Sequence, residues 1–345
     1  MNCKTRLYKS QSTSHGDAVI EASLLERVSE EELENFQPQE VQESNRVLEE
    51  DIGGETNGIY PSAKAYVSGS IRRVEERKSP DIRRGEELVK RIIDSIAESS
   101  ALLLLATDRR QEFSLSTHSV NVAILSLRLA QTLKYEPQNQ VRVGLAALLH
   151  EIGVVVLPKP MIYPTGEVSP QEWKRSVHGA RLLQEFCPDY DWLAATVGQV
   201  YEREDGSGFP LGLEGEGIRE EAKILGIVDV FEAYIHDRPY RKASTGYQLL
   251  HELTRGETKS FSDQIVKAFM ASFSLYPYNE YVVLNTGELG QVVAVNAENG
   301  WRPVIKILYD SKGRHVDKPR ETDLAQNSLL FITKAVPYHE LPPAG

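Results

Sequence analysis

From residue 81 to about residue 274 the chain repeats one hydrophobic period. Apolar residues recur every three or four positions through 85–105, 117–133, 138–151, 170–186, 192–201, 222–235 and 264–273. In the second of these segments Val120, Ala123, Ile124, Leu127 and Ala130 form a stripe with polar residues between them, the pattern of a helix with one apolar face. Such faces are buried only against one another, so this stretch predicts an all-α domain. After Pro277 the period changes to two. The runs "EYVVL", "GQVVAVN" and "RPVIKILYD", separated by "NTGELG" and "AENGW", read as strands of a small β module joined by hairpin turns. Residues 1–80 are rich in Glu, Gln, Ser and Arg, with one expected amphipathic helix near 22–36 and no sustained period after it. The expected organisation is therefore mainly α: a variable N-terminal arm or regulatory region (1–80), a helical domain (81–275) and a small β extension (276–335).

Composition narrows the partners. A formal net charge of −11 argues against an extended nucleic-acid polyanion, although a local basic cluster can still hold a small phosphorylated ligand. The longest uninterrupted apolar run, 101–106, is far short of the roughly 20 residues needed to span a bilayer. The N-terminus "MNCKTRLYKSQSTSHG" has no apolar signal region, so the expected location is the cytoplasm. Cys3 and Cys187 supply no CxxC metal pair and are expected as free thiols.

Against this background the segment "LLHEIGVVVLP" stands out. His150 and Glu151 close an apolar helix, where burying two ionisable groups is costly unless something pairs with them. Similar residues stand on the other helices: His118 near the start of one, His178 in "VHGARLL", and Asp229 within "ILGIVDVFEAY". One histidine on an apolar helix is more often a hydrogen-bonded core residue than a ligand. Five residues of metal-ligand type gathered in one helical domain point instead to a shared metal ion.

The order His118, "HEIG", "VHGARLL", "EREDGSGFPLGLEGEGI", "DVFEAYIHDRPYRKA" resembles the HD-GYP domain, a branch of the HD phosphohydrolases associated with hydrolysis of cyclic di-GMP. The resemblance covers about residues 81–274, and the β segment is similar to the C-terminal extension of many such proteins. It implies an HD-type helical bundle in which His118, His150, Glu151 and Asp229 hold a first metal. Position 151, an Asp in the family that bridges to a second metal, is Glu here. The second metal is implied to be held through the position of His178 and two adjacent histidines, where this chain has Val200 and Tyr201. A Glu that serves a further metal in some members is Ser114, the Lys after the HDIG sequence is Val154, and the motif tyrosine is Phe209.

These departures carry a physical weight. Lengthening Asp to Glu shifts the carboxylate by one bond, ~1.5 Å, against a metal–ligand tolerance of roughly 0.2 Å. At the second site His178 and a shared Glu151 fall short of the three protein ligands typical of a catalytic centre. Glu202 is a substitute ligand on one reading and a solvated or capping carboxylate on the other. The expectation is one divalent ion, iron or manganese before zinc, with the second metal incomplete. Glu151 is the residue to which a catalytic role is assigned.

The resemblance further implies that Asp205, Gly206, Gly208, Phe209 and Pro210, with Arg238, Arg241 and Lys242 of "DRPYRKA", line a cyclic-dinucleotide pocket. Guanidinium forks suit phosphate oxygens, although cations at a helix C-terminus and loop-shaping glycines explain the same residues without a ligand. The expected function is a cyclic di-GMP sensor or protein-interaction module with weak or absent hydrolysis. The alternative is a working phosphodiesterase, or another HD phosphohydrolase, on a reduced metal site.

Overall fold

The computed structural model describes residues 56–108, 111, 113–157, 174–236, 249, 260–273, 276, 279–295 and 302–336. The described residues fall into two units, a helical one ending at Phe273 and a β one after it. Among them no helix is long and apolar enough to cross a membrane. The expected helix near 22–36, the "AENGW" turn and the "DRPYRKA" segment lie outside the described residues.

The helical unit contains α1 (Thr56–Glu75), α2 (Ile82–Glu98), α3 (Ala101–Ala106), α4 (Leu115–Thr132), α5 (Pro137–Leu149), α6 (Lys174–Phe186), α7 (Asp191–Gly198), α8 (Glu220–Ile235) and α9 (Asp263–Ser272). Start signals are local. The Asp81 side chain accepts from Arg84 N at α2, Ser114 from Thr117 N at α4 and Ser262 from Ile265 N at α9, each satisfying a first-turn amide that the helix leaves open. Ser114 thus has a capping role. The expected single segment 85–105 breaks at Ser99 and Ser100, where Ser99 Oγ accepts from Ala101 N.

α1 extends the helical unit upstream of the expected boundary at residue 81. Ile59, Tyr60, Ala63, Tyr66, Val67 and Val74 are buried at helical spacing, but Gly58, Pro61 and Gly69 dilute that period in the sequence. The centre of the unit is α4, where Val120, Ala123, Ile124, Leu127 and Ala130 are fully buried. α8 is almost as enclosed, with Ile224, Leu225, Ile227 and Val228 inaccessible. Polar residues on these two helices therefore sit in the interior. Their hydrogen bonds must be made inside the protein.

The β unit is a five-stranded antiparallel sheet, ordered β4-β3-β2-β1-β5, from β1 (Tyr281–Leu284), β2 (Leu289–Ala294), β3 (Val304–Tyr309), β4 (His315–Asp323) and β5 (Ile332–Val336). Alternation buries Val282, Leu284, Val292, Ile305 and Ile307 on one face. The "NTGELG" segment forms the expected β1–β2 turn, with Gly287 at φ +84°. Arg302 ties down the 324–330 loop by donating to the carbonyls of Leu324, Asn327 and Leu330.

Candidate metal centre

Three chain segments deliver one cluster. α4 brings His118 in its first turn, α5 ends in His150 followed by Glu151, and α8 contributes Asp229 and Glu232. All five are at most 4% exposed. His118 Nε2 lies 3.1 Å from Asp229 Oδ1, 3.3 Å from His150 Nε2 and 3.9 Å from Glu151 Oε1. His150 Nε2 lies 3.7 Å from Glu151 Oε1 and 3.9 Å from Asp229 Oδ1. Atoms held about 2.1 Å from a common ion and roughly 90–140° apart would stand about 3.0–3.9 Å from one another. The observed separations fill that range, so two imidazoles and two carboxylates fit one divalent ion.

Hydrogen bonds behind the cluster set the imidazoles for that task. His118 Nδ1 donates to Glu232 Oε2 at 2.6 Å, and His150 Nδ1 donates to the Ala147 carbonyl at 2.7 Å. Both rings thereby turn Nε2 toward the same point, where in the neutral tautomers each would offer a lone pair to a cation. Glu232 is held in turn by Asn121 Nδ2 at 3.1 Å. Asn121 Oδ1 accepts from the Tyr60 hydroxyl at 2.6 Å. Burial pushes the Tyr60 phenol well above its ordinary value, so it remains a donor. Burial likewise holds the His150 imidazole below its usual range, favouring the neutral form that a metal requires.

Glu151 faces two ways. Burial alone would raise its carboxyl, but the Arg175 guanidinium and the His150 and His118 imidazoles outweigh that cost and hold it below the usual carboxylate range. Arg175 Nη1 lies 3.4 Å from Glu151 Oε2 and 3.5 Å from Oε1. The approach depends on Gly153. A Cβ there would run into the Arg175 carbonyl and the Gly179 amide, so only glycine lets α6 lie against the turn that follows Glu151.

His178, expected among the ligands, is not in the convergent group of described residues. Among the described residues, the ligand atoms that converge within 4.8 Å belong to His118, His150 and Glu151, and Asp229 joins them through its 3.1 Å contact with His118. His178 is half-buried one turn beyond Arg175, beside Arg181 and Lys174, and burial with those two charges holds it below the usual imidazole value. The helix turns Arg175, three residues earlier, toward Glu151. Val200 and Tyr201 are buried apolar residues.

The loop that follows them is organised by its own polar groups. Glu202, 4% exposed, accepts from Leu211 N at 2.7 Å and Leu213 N at 2.9 Å, which is the capping reading of this residue. Asp205 Oδ1 accepts from the amide and hydroxyl of Ser207, and Phe209 N donates to the Tyr201 carbonyl at 3.0 Å. Gly206 turns the chain at φ +71°, and a Cβ on Gly208 would collide with the Glu202–Arg203 backbone. The Phe209–Pro210 peptide is cis. Asp205, Gly206, Gly208, Phe209 and Pro210 therefore share one compact loop, whereas Arg238, Arg241 and Lys242 lie outside the described residues.

Sequence reasoning missed Glu232, Asn121, Tyr60 and Arg175. Glu232 and Asn121 each stand three residues after an expected ligand, one helical turn on the same face, and that spacing was their signal. Tyr60 lay in the stretch assigned to the arm. Arg175 carried no signal of its own.

Known proteins match this chain along most of the described length. The family model described as "HD domain" matches residues 91–264, and one described as "KOW domain associated with HD domain" matches residues 281–342. A cyclic di-GMP phosphodiesterase of Pseudomonas aeruginosa is 29% identical over 258 residues, covering 73% of this chain and 62% of that protein. A cyclic di-GMP phosphodiesterase of Borreliella burgdorferi is 25% identical over 236 residues, covering 65% of this chain and 60% of that protein. The chain thus spans less than two thirds of the length of these relatives. Among solved structures, an HDG"Y"P protein of Bdellovibrio bacteriovorus superposes with a TM-score of 0.50 at 21% identity, covering 61% of this chain and 69% of that one. That likeness is one of fold.

Proposed function

The chain belongs to the HD domain family, and from that membership we propose that it is a divergent HD-GYP-type protein of cyclic di-GMP signalling. On this reading it holds one divalent ion, iron or manganese before zinc, and serves as a nucleotide-sensing or interaction module with weak or absent hydrolysis. The observation that carries the reading is the asymmetry around Glu151. On one side stand His118, His150 and Asp229 at ligand spacing; on the other stands the Arg175 guanidinium.

His118, His150, Glu151 and Asp229 would hold the ion, which when bound supplies Lewis acidity toward a phosphoryl oxygen. The remaining work belongs to the chain itself. Glu232 and the Ala147 carbonyl keep both Nδ1 atoms protonated and both Nε2 atoms available. The side chains of α4 and α8 exclude water behind the cluster. Asp205, Gly206, Gly208, Phe209 and Pro210 are assigned to one wall of the dinucleotide pocket, with Arg238, Arg241 and Lys242 contributing the phosphate contacts. Phosphodiesterase activity carries two demands, activating a nucleophile and stabilising a leaving oxygen, and two-metal sites divide them between their ions. A single ion beside a guanidinium meets them less completely.

The alternative, a slower phosphodiesterase or another HD phosphohydrolase working on one metal with Glu151 in the catalytic role, is favoured by the intact four-ligand set. Calorimetry with cyclic di-GMP, followed by chromatography of the nucleotide recovered from anaerobically purified protein, tests both. Binding with intact nucleotide recovered is expected. Metal-dependent cleavage abolished by His150→Ala would establish the alternative, and absence of stoichiometric divalent metal after that purification would rule it out.

A further inference from the structure

We infer that Arg175 tunes the metal affinity of this centre, acting as a fixed cation on the face of Glu151 turned from the histidines, where it weakens the hold on the first ion and opposes a second. The inference rests on the proposed metal centre and concerns a residue that is not one of its ligands. Three observations carry it. Glu151 presents Oε1 to the two histidines, at 3.7 and 3.9 Å, while both of its oxygens lie within 3.5 Å of Arg175 Nη1. The carboxylate is therefore shared between the ion site and a guanidinium, as a bridging carboxylate is shared between two cations.

Second, the guanidinium is not a surface group that swings away. Arg175 is 9% exposed, and its backbone is pinned because Gly153 packs directly on its carbonyl. A second ion bridged by Glu151 would have to displace a buried guanidinium or sit within a few ångströms of it, where like charges repel strongly in an interior shielded from water. Third, Val200 and Tyr201, buried at 1% and 9% exposure, offer neither imidazole nor carboxylate. His178, which has a ligand's chemistry, lies one turn further along α6.

The charge on Arg175 and its hydrogen bonding make opposite predictions for one substitution. Arg175→Gln keeps a donor for Glu151 and removes the cation. If the cation limits metal uptake, the variant binds the first ion more tightly; if Arg175 merely positions Glu151, loss of its fork weakens binding. Full-length protein stripped of metal would be titrated with Co(II), followed by calorimetry and by the visible absorption of the bound ion. Metal per chain would be measured by elemental analysis after gel filtration. The wild type and Arg175→Lys are expected to saturate at one ion per chain. Arg175→Gln is expected to bind at least about tenfold more tightly and, with Val200 and Tyr201 unchanged, still to saturate at one. Two ions in the wild type, or an Arg175→Gln affinity equal to or below that of the wild type, would overturn the role of Arg175 and leave the metal centre standing. No ion bound by the wild type would remove the metal centre and the inference together.

Discussion

Two sides of the cluster around Glu151 are built on different principles. Toward α4 and α8, charged groups are organised in layers: His118 is backed by Glu232, Glu232 by Asn121 and Asn121 by Tyr60. Toward α6 and the 201–215 loop, polar groups satisfy one another. Arg175 pairs with Glu151, Arg203 donates to the Val200 and Glu202 carbonyls, and Glu202 accepts from the Leu211 and Leu213 amides. The first side brings imidazole nitrogens and carboxylate oxygens of four buried residues to one point, an arrangement that a cation would stabilise. The second side directs its main polar groups at one another. One half of the centre gathers groups of metal-ligand chemistry, and the other ties its polar groups into hydrogen-bonded protein structure.

That contrast is broken most severely at His118. His118→Ala removes a ligand and the shortest contact of the buried Glu232 carboxylate, which Asn121 still holds, with an expected loss of about 3 kcal/mol in urea unfolding of the metal-free protein, besides loss of metal binding by calorimetry. Next in size is Gly153→Ala, which drives a methyl into the Arg175 carbonyl and parts α6 from Glu151. It is expected to cost about 3 kcal/mol, read as a lowered unfolding midpoint. Glu232→Gln tests the layered side more finely. It preserves shape but weakens the charge behind His118, and Co(II) affinity is expected to fall about 10–100-fold. The smallest change is expected from Glu202→Gln, which weakens the two amide contacts of the loop for about 1–2 kcal/mol. Faster hydrogen exchange at residues 205–215 with unchanged metal affinity would confirm that this carboxylate belongs to the second side.

What could be read in advance follows from how each feature is encoded. The α4 stripe and the alternation of β1 and β3 are periodic over several residues, so element type and core were legible. α1 was obscured by Gly58, Pro61 and Gly69, and β4, with charged residues and Pro319 at a sheet edge, carries no apolar alternation. His118, His150, Glu151 and Asp229 were legible because ionisable residues on apolar helices demand partners. Glu232 stood on the same kind of helix and was passed over, although its spacing from Asp229 marked it. The contact of Arg175 with Glu151 was not legible. Which residue of α6 faces Glu151 is decided by the backbone contact at Gly153, a tertiary fact that no local pattern records.

Whether the α6 side has silenced the chemistry is decided by turnover of cyclic di-GMP in a protein shown by elemental analysis to contain its ion. Protein loaded anaerobically with iron or manganese would be incubated with the nucleotide in excess, and linear and mononucleotide products would be quantified over time. A centre with one ion and a guanidinium is expected to bind the nucleotide and release it intact, or to cleave it so slowly that product barely exceeds enzyme. Rapid multiple turnover that disappears in His150→Ala would contradict it.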